Sequence, residues 1–370
     1  MPEPASPTPP PTPPAAAADA ADAVAVPTIV ILGAGAVGIA FGSALLLKPG
    51  VARVVFIGRP HVGAALAAHG LHGCRGVDQP AVRIPPDRYA VYTCVADFEA
   101  AEPGVVPAAA VLSTKRLATA KLVPDVAHWG ARVPIVTMQN GIMMDKDIHA
   151  LMPEARVALA MCPFNVVAVA PGDYRPMSAG HWTLDASEAG RLLARLLGAN
   201  DVAATVCRDM GPVMNGKLIV NLHNAVSALS GLEMKDEYGQ RWTRVLIAQC
   251  YAEAMAVYRA HHMKYTTSFP VPLWLLRYLL LLPNVLFRPL WALVARAVPG
   301  ARSSMYDDFQ HKRQTEIDYF QGAIIQLAEK KGIDVPVCRR LYAAVKYYEA
   351  QRLGIVRRTP ETLFAPVEAS

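Results

Sequence analysis

The segment TIVILGAGAVG, residues 28–38, limits the fold more than any other part of the chain. A short β-branched run leads straight into Gly33, Gly35 and Gly38, and the small, apolar residues that follow suit a helix. The first glycine permits a tight turn and the second lets backbone approach a pyrophosphate. The third allows close packing of strand on helix, whose N-terminus attracts the anion. GxGxxG alone is a weak signal, but between a strand and a helix near the start of the folded chain it points to a dinucleotide site.

The residues beyond fit that frame. Up to about Cys207, short Val/Ile/Ala runs alternate with helical stretches, which predicts βαβ units and a parallel sheet. Strands are predicted at 28–32, 53–57, 109–113 and 134–138, with a helix over 37–47. The runs in 156–185, interrupted by Pro171-Gly172, predict an antiparallel extension of this sheet. From Pro212 onward apolar residues recur with a period near 3.6 and strand signals disappear. The fold class is therefore α/β: an N-terminal Rossmann-type doubly wound sheet with an all-helical C-terminal domain. The predicted division is a Pro/Ala-rich tail at 1–26, a nucleotide domain at 27–208, a helical substrate domain at 209–358 and a short tail at 359–370.

The end of the second predicted strand selects the cofactor. NAD sites place an acidic residue there to hold the ribose 2′-hydroxyl. This chain reads VVFIGRP, with Arg59 and no acid. A guanidinium pairs with a 2′-phosphate where a carboxylate would repel it, so NADP(H) is the expected cofactor. Gly33, Ala34, Gly35, Ala36, Val37, Gly38 and Arg59 form its expected binding set. Lys115 follows the apolar AAVLS and Asn140 follows PIVTM, so both belong at carboxyl ends of strands, beside the glycine turn.

The helical half carries its own polar constellation. GKLIVNLHNAVSAL holds Lys217, Asn221 and Asn224. In one continuous helix, offsets of four and seven put all three on one face, costly to bury without a ligand or partner. His223 points away from that face and is read as structural. Further on, Ser304 with Asp307 predicts a helix start with Ser304 as its cap, and Glu316 is placed in the same helix.

Composition excludes other classes. The net charge of +6 and pI near 9.0 suit a phosphorylated cofactor, but no Lys/Arg cluster marks a nucleic-acid track. Six scattered cysteines show no metal-ligand spacing and no disulfide framework, and are read as reduced, buried thiols of a cytoplasmic protein. The first 26 residues have three acids and no base, unlike a secretory or transit peptide, and are read as a disordered leader. The very apolar 267–299 segment is cut by Arg277, Pro283, Arg288 and Pro289 into pieces too short to span a bilayer. It is read as short buried helices, with a membrane contact or a subunit interface as the alternatives.

Taken together, GAGAVG, Lys115, QNG at 139–141, the K-x-x-x-N of Lys217 and Asn221, and SSM followed by EID between Ser303 and Asp318 resemble the ketopantoate reductase (2-dehydropantoate 2-reductase) family over about residues 28–350. The resemblance implies reduction of 2-dehydropantoate to (R)-pantoate by NADPH, a step toward pantothenate and coenzyme A. It implies Lys217 as proton donor and Asn221 and Ser304 on the substrate. Asn140 would lie by both ligands, and Glu316 beside Lys217 and the cofactor. The family's second helix asparagine often stands eight residues past the lysine. Here that position is Ala225 and the amide comes one earlier, at Asn224. Other readings are a reductase of the same architecture acting on another 2-oxo acid or an imine, and a non-catalytic NADPH-binding sensor or membrane-peripheral scaffold. Oligomeric state stays open, a homodimer included.

Overall fold

The computed structural model describes residues 26–77, 79–267, 271–294 and 301–364. The predicted leader up to residue 25 and the end of the C-terminal tail lie outside these.

Twelve strands follow in order: β1 (Thr28–Leu32), β2 (Arg53–Ile57), β3 (Leu71–Gly73), β4 (Val82–Ile84), β5 (Tyr89–Tyr92), β6 (Ala109–Leu112), β7 (Ile135–Thr137), β8 (Val157–Met161), β9 (Val166–Ala170), β10 (Asp173–Pro176), β11 (Trp182–Asp185) and β12 (Ala204–Cys207). Eight build the main sheet in the order β12-β11-β8-β7-β6-β1-β2-β5. All its pairings are parallel except β8 with β11. A central parallel strand is covered on both faces, which is why β1 is apolar at nearly every position. Ile29 and Ile31 enter one core with Val54, Phe56 and Val111. Val30 and Leu32 enter the opposite core with Val55, Ala110 and Leu112. Chain order reverses beside β1, flanked by β2 and β6, and this switch point is where an open parallel sheet leaves a crevice.

The expected antiparallel extension is only partly there. β8 continues the parallel run and β11 turns antiparallel to it, but the hairpin β9–β10 leaves the sheet. It joins β3 and β4 in a separate four-stranded sheet, order β4-β3-β10-β9, packed over the helix Ala36–Ala44. Gly172 explains the departure: its φ is 77°, and a Cβ there would lie 1.9 Å from the Gly70 carbonyl oxygen. Only a glycine turn lets the two backbones come so close. The first helix also stops sooner than predicted, because Asn200 accepts from the Lys48 N–H and donates to the Leu45 carbonyl, holding 45–48 in a turn.

Beyond β12 the described residues form helices and the loops between them, with no strand. The helices Met210–Asn221, His223–Ser230, Arg241–Ala260, Gln321–Glu329 and Pro336–Ala350 share a core that includes Leu218, Leu229, Tyr251, Ile324 and Leu341. Ile142, Met144 and Met161 reach that core from the sheet half, so the two halves are packed together. The start of the predicted C-terminal tail is also docked: Leu363 is buried, and Arg340 lies 4.1 Å from the centre of the Phe364 ring.

The apolar 267–299 segment is not simply buried. Its described part forms two short helices, Leu273–Leu281 and Asn284–Val294. Leu273, Leu276, Leu280 and Phe287 point inward, while Trp274, Tyr278, Leu286 and Leu290 are exposed. Hydrophobicity all round these helices exceeds what one buried face can absorb. Among the described residues no helix is long and apolar enough to cross a membrane. The thiols likewise depart from expectation: all six are free, but only Cys162, Cys250 and Cys338 are buried, and Cys94 is exposed.

Candidate active site

The glycine turn sits at the carboxyl end of β1. Gly33 has φ 107°, and a Cβ there would overlap the Thr114 side chain at 2.2 Å. A Cβ on Gly38 would come within 2.3 Å of the Gly33 carbonyl oxygen and 2.4 Å of Ser113 Oγ. The Ser113 hydroxyl donates to that same carbonyl (2.8 Å), tying the end of β6 to the turn. Gly35 differs, since nothing lies within 4 Å of where its Cβ would be. It begins the helix Ala36–Ala44 without a side-chain cap, leaving the first-turn N–H groups of Ala36, Val37 and Gly38 for a ligand. Beside the turn, Thr114 Oγ1 is buried and has no hydrogen-bond partner. An uncapped helix start, open space at Gly35 and an orphaned hydroxyl together fit a phosphate-bearing cofactor. Arg59 follows Gly58 at the end of β2 as the N-cap of the helix Pro60–His69; it is exposed and held by no ion pair among the described residues.

Asn140 lies beyond β7, next to β6 in the sheet. Its side-chain oxygen accepts from Asn221 Nδ2 and its Nδ2 donates to Glu316 Oε2, both at 3.4 Å. Glu316 Oε1 accepts the Arg116 backbone N–H at 3.0 Å. One polar chain thus joins the loops after β6 and β7, the helix Met210–Asn221 and the segment before Ile317. Lys217, one helical turn before Asn221, donates to the Cys162 carbonyl at the end of β8. Desolvation lowers the Lys217 pKa below the ordinary lysine range, and the nearby Cys162 and Glu316 oppose that shift. Lys217 and Glu316 form no direct ion pair, so the carboxylate acts on the ammonium through space.

Three predicted placements need correction. The Lys-Asn-Asn stripe is not on one helix, because the helix ends at Asn221 and a second begins at His223, with Leu222 at the junction. Gln321 Nε2 donates to the Leu222 carbonyl (2.8 Å), serving the backbone where the ladder is interrupted. Leu222 keeps right-handed helical φ and ψ (−61° and −22°), and Asn224, beyond it, donates to Ser304 Oγ at 3.4 Å. The second correction concerns the cap of the helix Ser304–Gln310. Ser303, not Ser304, accepts from the Tyr306 N–H, which frees the Ser304 hydroxyl. Third, Glu316 is not in that helix. Lys312 at φ 51° ends it, and Glu316 lies buried just before a 3-10 turn. As read from the sequence, His223 is away from this cluster, buried against the Glu237 carboxylate (3.1 Å).

Three further residues were not foreseen. Asp308 pairs with Lys115 and lies 3.4 Å from Arg313 Nε. Burial pushes its carboxyl up to about 6, against the opposing pull of Lys115. It stands four residues after Ser304 on one helix, so the i, i+4 spacing was a usable signal. Arg116 had no such signal. It is buried, bonds Asp147 Oδ2 (2.5 Å) and the Ile142 carbonyl (2.7 Å), and lies 4.5 Å from the centre of the Tyr319 ring. It locks the loop after β6 to the loop after β7. The third is Cys162, whose backbone carbonyl, not its thiol, meets Lys217. Among the described residues, no three His, Cys, Asp or Glu side chains are grouped to hold a metal ion.

Comparison with known proteins agrees with the fold. The family description "Ketopantoate reductase PanE/ApbA" matches residues 29–188, and its C-terminal counterpart matches residues 210–349. A ketopantoate reductase of this family from Ralstonia eutropha JMP134 superposes with a TM-score of 0.69 at 23% identity, covering 88% of this chain and 99% of its own. A D-mandelate dehydrogenase solved with NADH and anilino(oxo)acetate does so at 0.67 and 20% identity, with coverage of 88% and 99%. The 2-dehydropantoate 2-reductase of Vibrio cholerae is 39% identical over 56 residues, which span 15% of this chain and 19% of that protein. With its two halves matched in order, the chain belongs to the ketopantoate reductase family.

Proposed function

We propose that the protein reduces 2-dehydropantoate to (R)-pantoate with NADPH. The observation that carries this reading is the convergence of Lys217, Asn140, Asn221 and Glu316 around the loops after β6 and β7. The N–H groups of 36–38 and Thr114 would hold the pyrophosphate region, and Arg59 the 2′-phosphate. Bound NADPH supplies a hydride to the carbonyl carbon. The Lys217 ammonium hydrogen-bonds the carbonyl oxygen, stabilises the charge growing there and transfers its proton to it; solvent then reprotonates the amine. A lysine pKa lowered by burial makes that proton easier to give, while Glu316 keeps the amine charged beforehand. Asn221 and the Asn224–Ser304 pair orient the remaining substrate oxygens.

NADP rather than NAD rests on Arg59 and on the absence of an acid at the end of β2. The choice of substrate has a specific rival, because a D-mandelate dehydrogenase has a fold as similar as the ketopantoate reductases do. A side-by-side measurement of kcat/KM for 2-dehydropantoate, 3-methyl-2-oxobutanoate and an aryl 2-oxo acid tests it. A site built to bond a hydroxyl rejects an analogue lacking it by up to about 10⁴–10⁵. The hydroxylated acid is expected to be strongly preferred. Comparable values for the first two acids, or preference for the aryl acid, would remove 2-dehydropantoate and leave a 2-oxo acid reductase.

A further inference from the structure

The helices Leu273–Leu281 and Asn284–Val294 expose Trp274, Leu275 and Tyr278, and Val285, Leu286 and Leu290, respectively. Their inner sides are anchored by Arg244, which is wholly buried. Its guanidinium donates to the Leu280 and Leu282 carbonyls (3.0 and 2.9 Å) and to Asn284, and lies 3.8 Å from the centre of the Phe287 ring. The two short helices are thus fixed at their junction, and their exposed apolar side chains are a built surface.

The charge within this stretch of sequence has one sign. From Ala254 to Tyr306 the sequence contains no Asp or Glu, while Arg259, Lys264, Arg277, Arg288, Arg296 and Arg302 fall within it. Among the described residues, the exposed Arg241 and Arg288 and the half-buried Arg277 have no carboxylate partner, whereas Arg302 is neutralised by Glu233. Arg241 and Arg288 lie close enough to Arg244 for their like charges to add to burial in lowering its pKa. Arg277 folds over the Tyr278 ring, 4.4 Å from its centre, leaving aromatic and cation side by side.

We infer that this face docks on the surface of a lipid bilayer bearing anionic headgroups. Short helices with exposed Trp, Tyr and Leu settle at the headgroup boundary without spanning it, and unpaired arginines meet the negative surface potential. A second copy of the chain fits less well. A two-fold interface sets a patch against itself, and helices that carry Arg277 and Arg288 and no acid of their own would bring like charges together.

The test is co-sedimentation of the full chain with phosphatidylcholine vesicles, with and without phosphatidylglycerol, across a range of salt. Binding is expected to the anionic vesicles, to weaken with salt and to be at least about tenfold weaker on neutral ones. Arg288→Ser should weaken it about fivefold, and Trp274→Ser or Leu290→Ser by more, with turnover and Tm unchanged. No binding to anionic vesicles, or equal binding to both kinds, would overturn the inference. So would a solution dimer that Leu290→Ser dissociates, which would give the face to a second copy.

Discussion

The glycine turn at 33–38 and the polar residues of the helical half are held in place by different means. The turn is fixed by its own backbone and its nearest strand. Gly33 takes a left-handed φ, Gly38 leaves no room for a Cβ, and Ser113 clamps the Gly33 carbonyl. In the helical half, Asn224 and Glu316 instead stand just beyond interruptions: the junction at Leu222 and the left-handed residue Lys312. These interruptions are supported from elsewhere in the chain, by Gln321 at the first and by Glu349, which accepts from the Thr315 N–H and hydroxyl, after the second. In the proposed reaction this difference divides the roles: the locally built half would grip the cofactor and the half with long-range support would do the chemistry.

The largest expected effect tests that division. Lys217→Ala should lower kcat by about 10²–10⁴, the usual size of a general-acid contribution, and leave NADPH affinity intact because the turn does not depend on it. Loss of both together would mean that the two halves are not separable. The pH profile sharpens the point. A lysine pKa lowered by burial means the protonated acid is lost as pH rises, so kcat should fall at a pH below that of free lysine. Glu316 opposes the shift, and Glu316→Gln should move the alkaline limb lower still. A limb that stays put in that variant would show that Glu316 does not act on Lys217 through charge.

Arg59→Ala probes the other half. A hydrogen bond to a charged group contributes roughly 1.5–3 kcal/mol, so NADPH affinity should drop about ten- to a hundredfold, with NADH affinity unchanged. Equal use of both cofactors by the unaltered protein would show that the end of β2 does not select between them.

How much was legible in the sequence follows the same line. β1 and β2 were readable to the residue, and so was the placement of Lys115 and Asn140 after their strands, because a buried parallel strand and a glycine turn announce themselves within a dozen residues. The helix break at Leu222 was not. GKLIVNLHNAVSAL has no Pro, and its only Gly stands at the start, so nothing local marks the break. Its carbonyl partner is Gln321, far along the chain. The position of Glu316 was missed because a left-handed Lys312 has no sequence signature, unlike glycine. The cap was off by one because Ser303 and Ser304 are chemically identical, and only the geometry assigns the roles. The β9–β10 hairpin was recognised as antiparallel, but which sheet it joins is set by the Gly70–Gly172 approach, a tertiary contact.

An effect on stability rather than on catalysis is expected where the two halves touch, at the Lys115–Asp308 pair. Lys115 comes from the loop after β6 and Asp308 from the helix Ser304–Gln310. Burial raises the Asp308 carboxyl from 3.8 to about 6 despite its two cationic neighbours. Its folded pKa therefore exceeds its unfolded one, and between about pH 4 and 6 the folded state binds more protons than the unfolded state. Stability contributed by this group is present below that window and falls as pH rises through it. A displacement of about two units corresponds to at most about 3 kcal/mol. Asp308→Asn keeps the shape, cannot ionise and should remove that part of the pH dependence, so that the unaltered protein loses Tm relative to the variant between pH 4 and 6. Thermal melts of both proteins across this range measure it. Parallel curves would mean that Lys115 stabilises the carboxylate enough to cancel burial, which would make the seam between the halves an ion pair at every pH in the window.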